Sequence, residues 1–189
     1  KYPYEIPRWN NYTFGAIFQV GYNYQIGSSK GTLLGGIQYE YYLMNDTYYM
    51  IGESDSIHYY LNDSHRTLLL GNEYNLSGYF QIKHHILPSL IFNGGLRYGY
   101  KHQFNNNYHV AWSPRVSLSW NPNERLNFKT SYSHSFVDAP YYYRANATST
   151  YEGASELSPE TLDAVQFTMN YKSQSLGLSY EGNIFYNSF

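Results

Sequence analysis

Hydrophobic and polar residues alternate along most of this chain with a period of two. In RLNFKTSYSHSF, residues 125–136, Leu126, Phe128, Tyr132 and Phe136 take even positions, while Arg125, Asn127, Lys129, Ser131, Ser133 and Ser135 take odd ones. Successive side chains of a strand point to opposite faces of a sheet, so this is a β-strand with one apolar and one polar face. Seven further runs follow the same rule: 12–25, 32–43, 76–86, 90–101, 114–120, 165–172 and 176–187. Helical periodicity nowhere lasts beyond a turn. The pattern predicts an all-β chain, an antiparallel up-and-down meander of about eight strands.

Such a strand suits a soluble sheet, with its apolar side on a core, or a membrane barrel, with that side in lipid. Charges and connections separate the two. Glu40, Lys83, Arg97, Arg115, Lys129, Lys172 and Glu181 lie well inside the strands, and all seven take the polar parity. Lipid enforces that exclusion more severely than a protein core does, since Arg or Lys at the bilayer midplane costs about 2–4 kcal/mol. The connections run short, long, short, medium, short, long, short: 27–31, 45–66, 87–89, 102–112, 121–124, about 137–161 and 173–175. Short periplasmic turns alternating with longer extracellular loops mark an outer-membrane barrel. With short connections first and last, both ends of the chain fall on the outer side. The expectation is therefore a segment of a larger barrel, residues 1–189 forming a partial wall, with Phe189 an accidental aromatic end. An open sheet with two unpaired edges should not be stable alone in lipid.

Composition agrees. Of 189 residues, 25 are Tyr and 10 Phe, only 14% are charged and none is Cys. Aromatics suit the girdles of a barrel. The net charge of −2 points to no nucleic-acid partner. Without Cys there is neither a disulfide framework nor a thiolate site. No apolar run is long enough for a transmembrane helix. No nucleophile elbow, phosphate loop or HExxH motif occurs, so neither catalysis nor a cofactor is expected.

SPRVSLSWNPNERLNFKTSYSHSF, 113–136, followed by FVDAP, 136–140, resembles a signature of TonB-dependent outer-membrane receptors. There a Ser-Pro-Arg opens a strand, an Asn-Pro turn follows, and the next strand ends at a Phe near Ala-Pro. The family more often has Arg where this chain has Asp138. ELSPETLDAVQF, 156–167, is similar to the family's Leu-Lys-Pro-Glu-Thr stretch, with Ser158 for that Lys and Gln166 for a later Glu; Gly153-Ala154-Ser155 replace its Gly-Asn-Pro. NIFYN, 183–187, and FNGGLRYGY, 92–100, resemble further strands of the family. The resemblance covers residues 72–189 by motif and 1–71 by pattern alone. It implies a 22-stranded type of barrel, whose plug domain, TonB-contacting segment and closing strands are not in these 189 residues. It also implies active import of a siderophore-iron complex, vitamin or glycan, with TonB reached through the plug. The alternatives are a small self-contained barrel or porin, and an extracellular carbohydrate-binding β-sandwich.

Tyr141, Tyr142, Tyr143 and Arg144 open the 137–161 loop. They are expected either as an aromatic and cationic ligand platform or as interfacial aromatics beside a solvated Arg. The seven strand charges are expected to face the lumen, where they pair with one another, contact a plug or guide an anionic ligand. No metal site is expected from the His residues: His84 and His85 are adjacent and so point to opposite faces, and His58, His65, His102 and His109 lie in or beside loops.

Overall fold

The computed structural model describes residues 4–53, 56–60, 66–148, 151–173 and 177–189. In chain order the strands are β1 (Tyr4–Ile26), β2 (Ser29–Glu53), β3 (Ser56–Tyr60), β4 (Gly71–Leu87), β5 (Leu90–His102), β6 (Tyr108–Asn123) and β7 (Leu126–Val137). A single helical turn, α1 (Tyr141–Arg144), precedes β8 (Ala147–Thr148), β9 (Tyr151–Glu152), β10 (Glu160–Ser173) and β11 (Leu178–Ser188). The main sheet is an antiparallel meander ordered β1-β2-β4-β5-β6-β7-β10-β11, with β3 folded back on β2. Its eight principal strands match the eight periodic runs.

The sheet is one layer. Phe18, Phe80 and Trp112, all on the apolar parity, are 65%, 50% and 54% exposed. Among the described residues the only other sheet is the two-stranded β8-β9 pair, so nothing covers the apolar face as a sandwich would. Lipid is the medium that accepts such a face. Its side chains form aromatic clusters towards both ends of the strands. Tyr39, Tyr74, Tyr100 and Tyr108 run in contact at one level, with centroids 6.0–6.4 Å apart. Trp120, Phe128 and Phe167 do so near the short turns, at 5.6 and 6.2 Å. Two aromatic bands flanking an apolar zone are the girdles of a membrane barrel.

The strands outrun the periodic segments. β2 extends ten residues beyond position 43, and β3 pairs with it from Tyr49↔Tyr60 to Glu53↔Ser56. The 45–66 stretch, expected as a loop, is thus largely a β-hairpin extension among the described residues. The physical reason is that alternation is needed only where one face meets lipid. Above the bilayer the backbone ladder persists while both faces meet water. Twenty-five residues at ~3.3 Å each, tilted about 45°, rise roughly 58 Å against a hydrocarbon core of about 30 Å. Pro7, which cannot donate to a ladder, lies opposite Tyr49, and a bulge at Asn10/Asn11 shifts the register nearby.

β10 begins at Glu160, five residues before the predicted strand, which brings Asp163 into the sheet on the apolar parity. The rule that strand charges avoid that face therefore has an exception. Asp163 lies opposite His134, with Oδ1 3.0 Å from the His134 Nδ1, and accepts a 2.7 Å hydrogen bond from the Tyr132 hydroxyl. It lies towards the outer ends of β7 and β10, where the cost of a charge on the lipid side falls towards zero.

Candidate functional site at the outer mouth

Consecutive strand pairings fix which residues share a face. Glu40 lies opposite Asn75, which lies opposite Lys101. Lys83 aligns with Thr32 and Asn93, and Arg97 with Tyr79 and Ser113. Arg115 lies opposite Gly95, and Lys129 opposite Ser119 and Thr168. Glu181 lies opposite Asn170, and Lys172 opposite Ser179. Followed across the sheet, these rows put all seven strand charges on one side, opposite the aromatic bands. They are not paired with one another. Arg97 donates from Nη2 to the Ser77 hydroxyl at 3.0 Å and to Gln38 Oε1 at 3.4 Å, while Glu40 accepts from Gln38 at 2.8 Å and from Asn75 at 3.5 Å.

At the outer end of this polar face lies a charge network that the strand pattern does not announce. Arg144, at the end of α1, is 1% exposed. Its two terminal nitrogens both reach the Glu73 carboxylate, Nη2 to Oε2 at 2.8 Å, and Nε donates to the Ala139 carbonyl at 2.8 Å. The guanidinium also lies 6.0 and 5.9 Å from the Phe104 and Tyr141 ring centroids. Lys101 Nζ contacts Asp138 at 2.8 Å and Glu73 at 3.5 Å. Two cations and two carboxylates thus neutralise one another. A buried ion pair persists only with such dense hydrogen bonding, because desolvation is otherwise too costly.

Position 144, read from the sequence as either the cation of a ligand platform or a solvated Arg, holds a buried Arg that anchors the loop to β4. A planar fork that matches a carboxylate bidentately makes Arg the fitting residue there. Tyr141 shares the anchoring role: its hydroxyl donates to the Leu69 carbonyl at 2.8 Å, and its ring meets Tyr42 and Phe104 at 5.2 Å each. Burial, with Glu73 nearby, pushes its phenol well above the ordinary tyrosine range. Tyr142 and Tyr143 differ. They are 47% and 49% exposed and pack edge-to-face at 5.7 Å. Of the four expected platform residues, two hold the loop and two present aromatic surface to solvent.

The three outer connections are stitched together. Leu69 N–H donates to the Ala145 carbonyl at 2.7 Å and Ala147 N–H to the Thr67 carbonyl at 3.0 Å. Asn107 Nδ2 lies 3.2 Å from both Glu156 oxygens, and Asn105 Nδ2 donates to the Ser155 carbonyl at 3.2 Å. Gly153 packs against the turn after α1, where a Cβ would lie 2.5 Å from Asn146 N and 2.6 Å from Arg144 O. Only Gly fits that approach. Beneath α1 a cavity of about 440 Å³ opens towards the polar face, lined by Glu40, Tyr42, Glu73, Asn75, Lys101 and Tyr141 among others.

Sequence reading missed Glu73, Asp138 and Lys101 as site residues. The available signal was Asp138, an acid where the family more often has a base. Among the described residues no group of three or more His, Cys, Asp or Glu side chains could hold a metal. His84 stacks on Tyr24 at 5.8 Å, while His65 lies outside the described residues.

A one-layer sheet, aromatic and apolar outside, polar inside, with its longer connections gathered at one end, is an arc of transmembrane barrel wall. The chain belongs to the TonB-dependent receptor-like β-barrel family, whose model matches residues 2–189, and so to the outer membrane of Gram-negative bacteria. Similar solved structures include the siderophore receptor PiuA from Acinetobacter baumannii, at 14% identity and TM-score 0.68, covering 95% of this chain and 32% of that one. The copper transporter OprC matches at 11% identity and TM-score 0.67, covering 97% and 30%. The FrpB iron transporter from Neisseria meningitidis (F5-1 variant) matches at 14% identity and TM-score 0.63, covering 94% and 28%. The chain thus spans about a third of the length of these receptors or less. No curated protein matches it by sequence.

Proposed function

We propose that this chain is part of the wall and capture mouth of an outer-membrane active transporter that imports a scarce ligand with energy delivered by TonB. Iron bound to a siderophore is the foremost cargo, since a siderophore receptor and an iron transporter are among its structural neighbours; a vitamin or glycan remains within the same class. TonB would act through a plug domain that these 189 residues do not contain. The role is transport, with no chemistry on the cargo.

The observation that carries this reading is the loop anchored by Arg144 and Glu73. A transporter's capture loop must be held over the passage while leaving a face for its ligand, and here the burial of Arg144 and Tyr141 leaves Tyr142 and Tyr143 outward. Exposed aromatics of low conformational entropy suit such contacts. The test is uptake of ferric siderophores by cells whose only such receptor carries this segment. Tyr142→Ala/Tyr143→Ala should weaken ligand binding at the cell surface roughly tenfold or more, and loss of TonB should abolish uptake but not binding. Surface binding unaffected by the double substitution would remove these tyrosines from the site. Uptake that survives loss of TonB would favour a passive barrel.

A further inference from the structure

The charge on the lipid face belongs to a cluster. Tyr132, His134 and Asp163 share the apolar parity of β7 and β10 with Phe128, Phe136, Val165 and Phe167. The Tyr132 hydroxyl donates to Asp163 Oδ1 at 2.7 Å, and His134 Nδ1 lies 3.0 Å from that same oxygen. Both contacts fall on Oδ1, so Oδ2 keeps its accepting capacity, and the imidazole keeps Nε2 to donate or accept. The Asp163 side chain is about half exposed and that of His134 partly so. Ser188 stands opposite Asp163 on β11, and the exposed Tyr186 stands opposite Val165 in the next row of this face.

Its depth is set by the strands. Asp163 lies ten residues from the short-turn end of β10, as Tyr39 and Tyr100 of the outer aromatic band do from the short-turn ends of β2 and β5. Hydrocarbon gives way to headgroups at that level. β7 and β10 each have both neighbouring strands in place. Further wall would extend the sheet beyond β1 and β11, and a plug would lie on the polar side, so neither covers this outward face.

Acyl chains offer a carboxylate nothing, and an apolar residue would sit there without penalty. A sugar ring does match the cluster. Its hydroxyls both donate and accept, as Asp163 Oδ2 and His134 Nε2 require, and its C–H face packs on tyrosine rings. A phosphate matches less well, because its charge would meet that of Asp163. The outer leaflet of the Gram-negative outer membrane is the leaflet that carries glycolipid.

We propose that Tyr132, His134 and Asp163 form a site on the outside of the barrel for a sugar of an outer-leaflet glycolipid headgroup. Asp163 and His134 bond the sugar hydroxyls, and Tyr132 holds the carboxylate in position. The inference is independent of the transport reading and of the cargo. It requires only that this wall stands in the outer membrane.

The probe is lipopolysaccharide, and the protein is the full receptor carrying this segment, in phosphatidylcholine vesicles with and without it. Lipopolysaccharide should raise the thermal midpoint of the native barrel, read by tryptophan fluorescence. His134→Leu/Asp163→Leu puts apolar side chains against lipid, so in phosphatidylcholine alone it should be at least as stable as the native receptor. It should nevertheless need roughly tenfold more lipopolysaccharide for the same rise. Asp163→Asn, which keeps the shape and loses the charge, should weaken the response in the same direction and serves if the double variant fails to insert. Chelation by EDTA and enzymatic removal of the lipopolysaccharide phosphates should both leave the native response intact. Equal responses in native and variant receptors overturn the proposal, as does the absence of any rise in the native one. A response that vanishes with EDTA or with the phosphates overturns it too, because the ligand would then be a metal-bridged phosphate.

Discussion

Arg144 shows how much one side chain organises at the mouth. Its fork, the Glu73 carboxylate and the Ala139 carbonyl form a closed set in which every partner is satisfied. Removing one member leaves a buried charge alone, which costs about 3–5 kcal/mol, far more than a surface pair would. Glu73→Ala should therefore release the 138–159 loop while leaving the sheet folded, and trypsin should then cut after Arg144, a site closed to it in the native protein. A loop that stays protected would mean that the backbone stitching to 66–70 suffices. Tyr141 adds a pH dependence. Its pKa is raised by burial and then by Glu73, so the neutral phenol is the form the fold favours. That contribution is fully present below the unfolded value near 10 and is lost as pH rises towards the folded one. Loop protection from a protease active in alkali should thus fall above about pH 10 in the native protein, and Tyr141→Phe should remove that fall.

Within an element, the two faces of a strand live under different rules. Phe80 and Gln81 are neighbours in β4, yet one pairs across the apolar face with Gly35 and Leu96, and the other across the polar face with Leu34 and Gly95. Phe80→Arg should cost about 2–4 kcal/mol and Gln81→Arg close to nothing, read as the urea midpoint of the barrel in vesicles. Equal effects would contradict the lipid assignment. This asymmetry is also why the fold was legible in the chain. Wherever lipid meets one face, alternation is compulsory, and the eight runs and the face of all seven charges follow from it. Once a strand leaves the bilayer the compulsion ends, so the upper part of β2 and the β3 hairpin read as loop. Asp163 was hidden for the same reason, at the level where the penalty fades. The mouth network was less legible still. Glu73, Lys101 and the Asp138–Arg144 pair come from three separate places in the chain, β4, β5 and the 137–161 loop, and only folding shows that their charges cancel.

As a whole molecule, the described sheet has two edges, β1 and β11, each with one strand partner. In hydrocarbon an unpaired row of amides and carbonyls costs several kcal/mol per group, which no amount of side-chain packing offsets. Residues 1–189 expressed alone and refolded into vesicles should therefore aggregate or stay out of the membrane, whereas the same residues within the full receptor should form a barrel resistant to SDS at room temperature. A monomeric, SDS-resistant product from the isolated segment would show that its edges close on each other. The tall β1-β2 pair has another consequence. Its upper reach stands well clear of the lipid, held by main-chain hydrogen bonds that are indifferent to side-chain identity. Whatever approaches the cell from outside meets this turret first, and substitutions there can accumulate without unfolding the wall beneath.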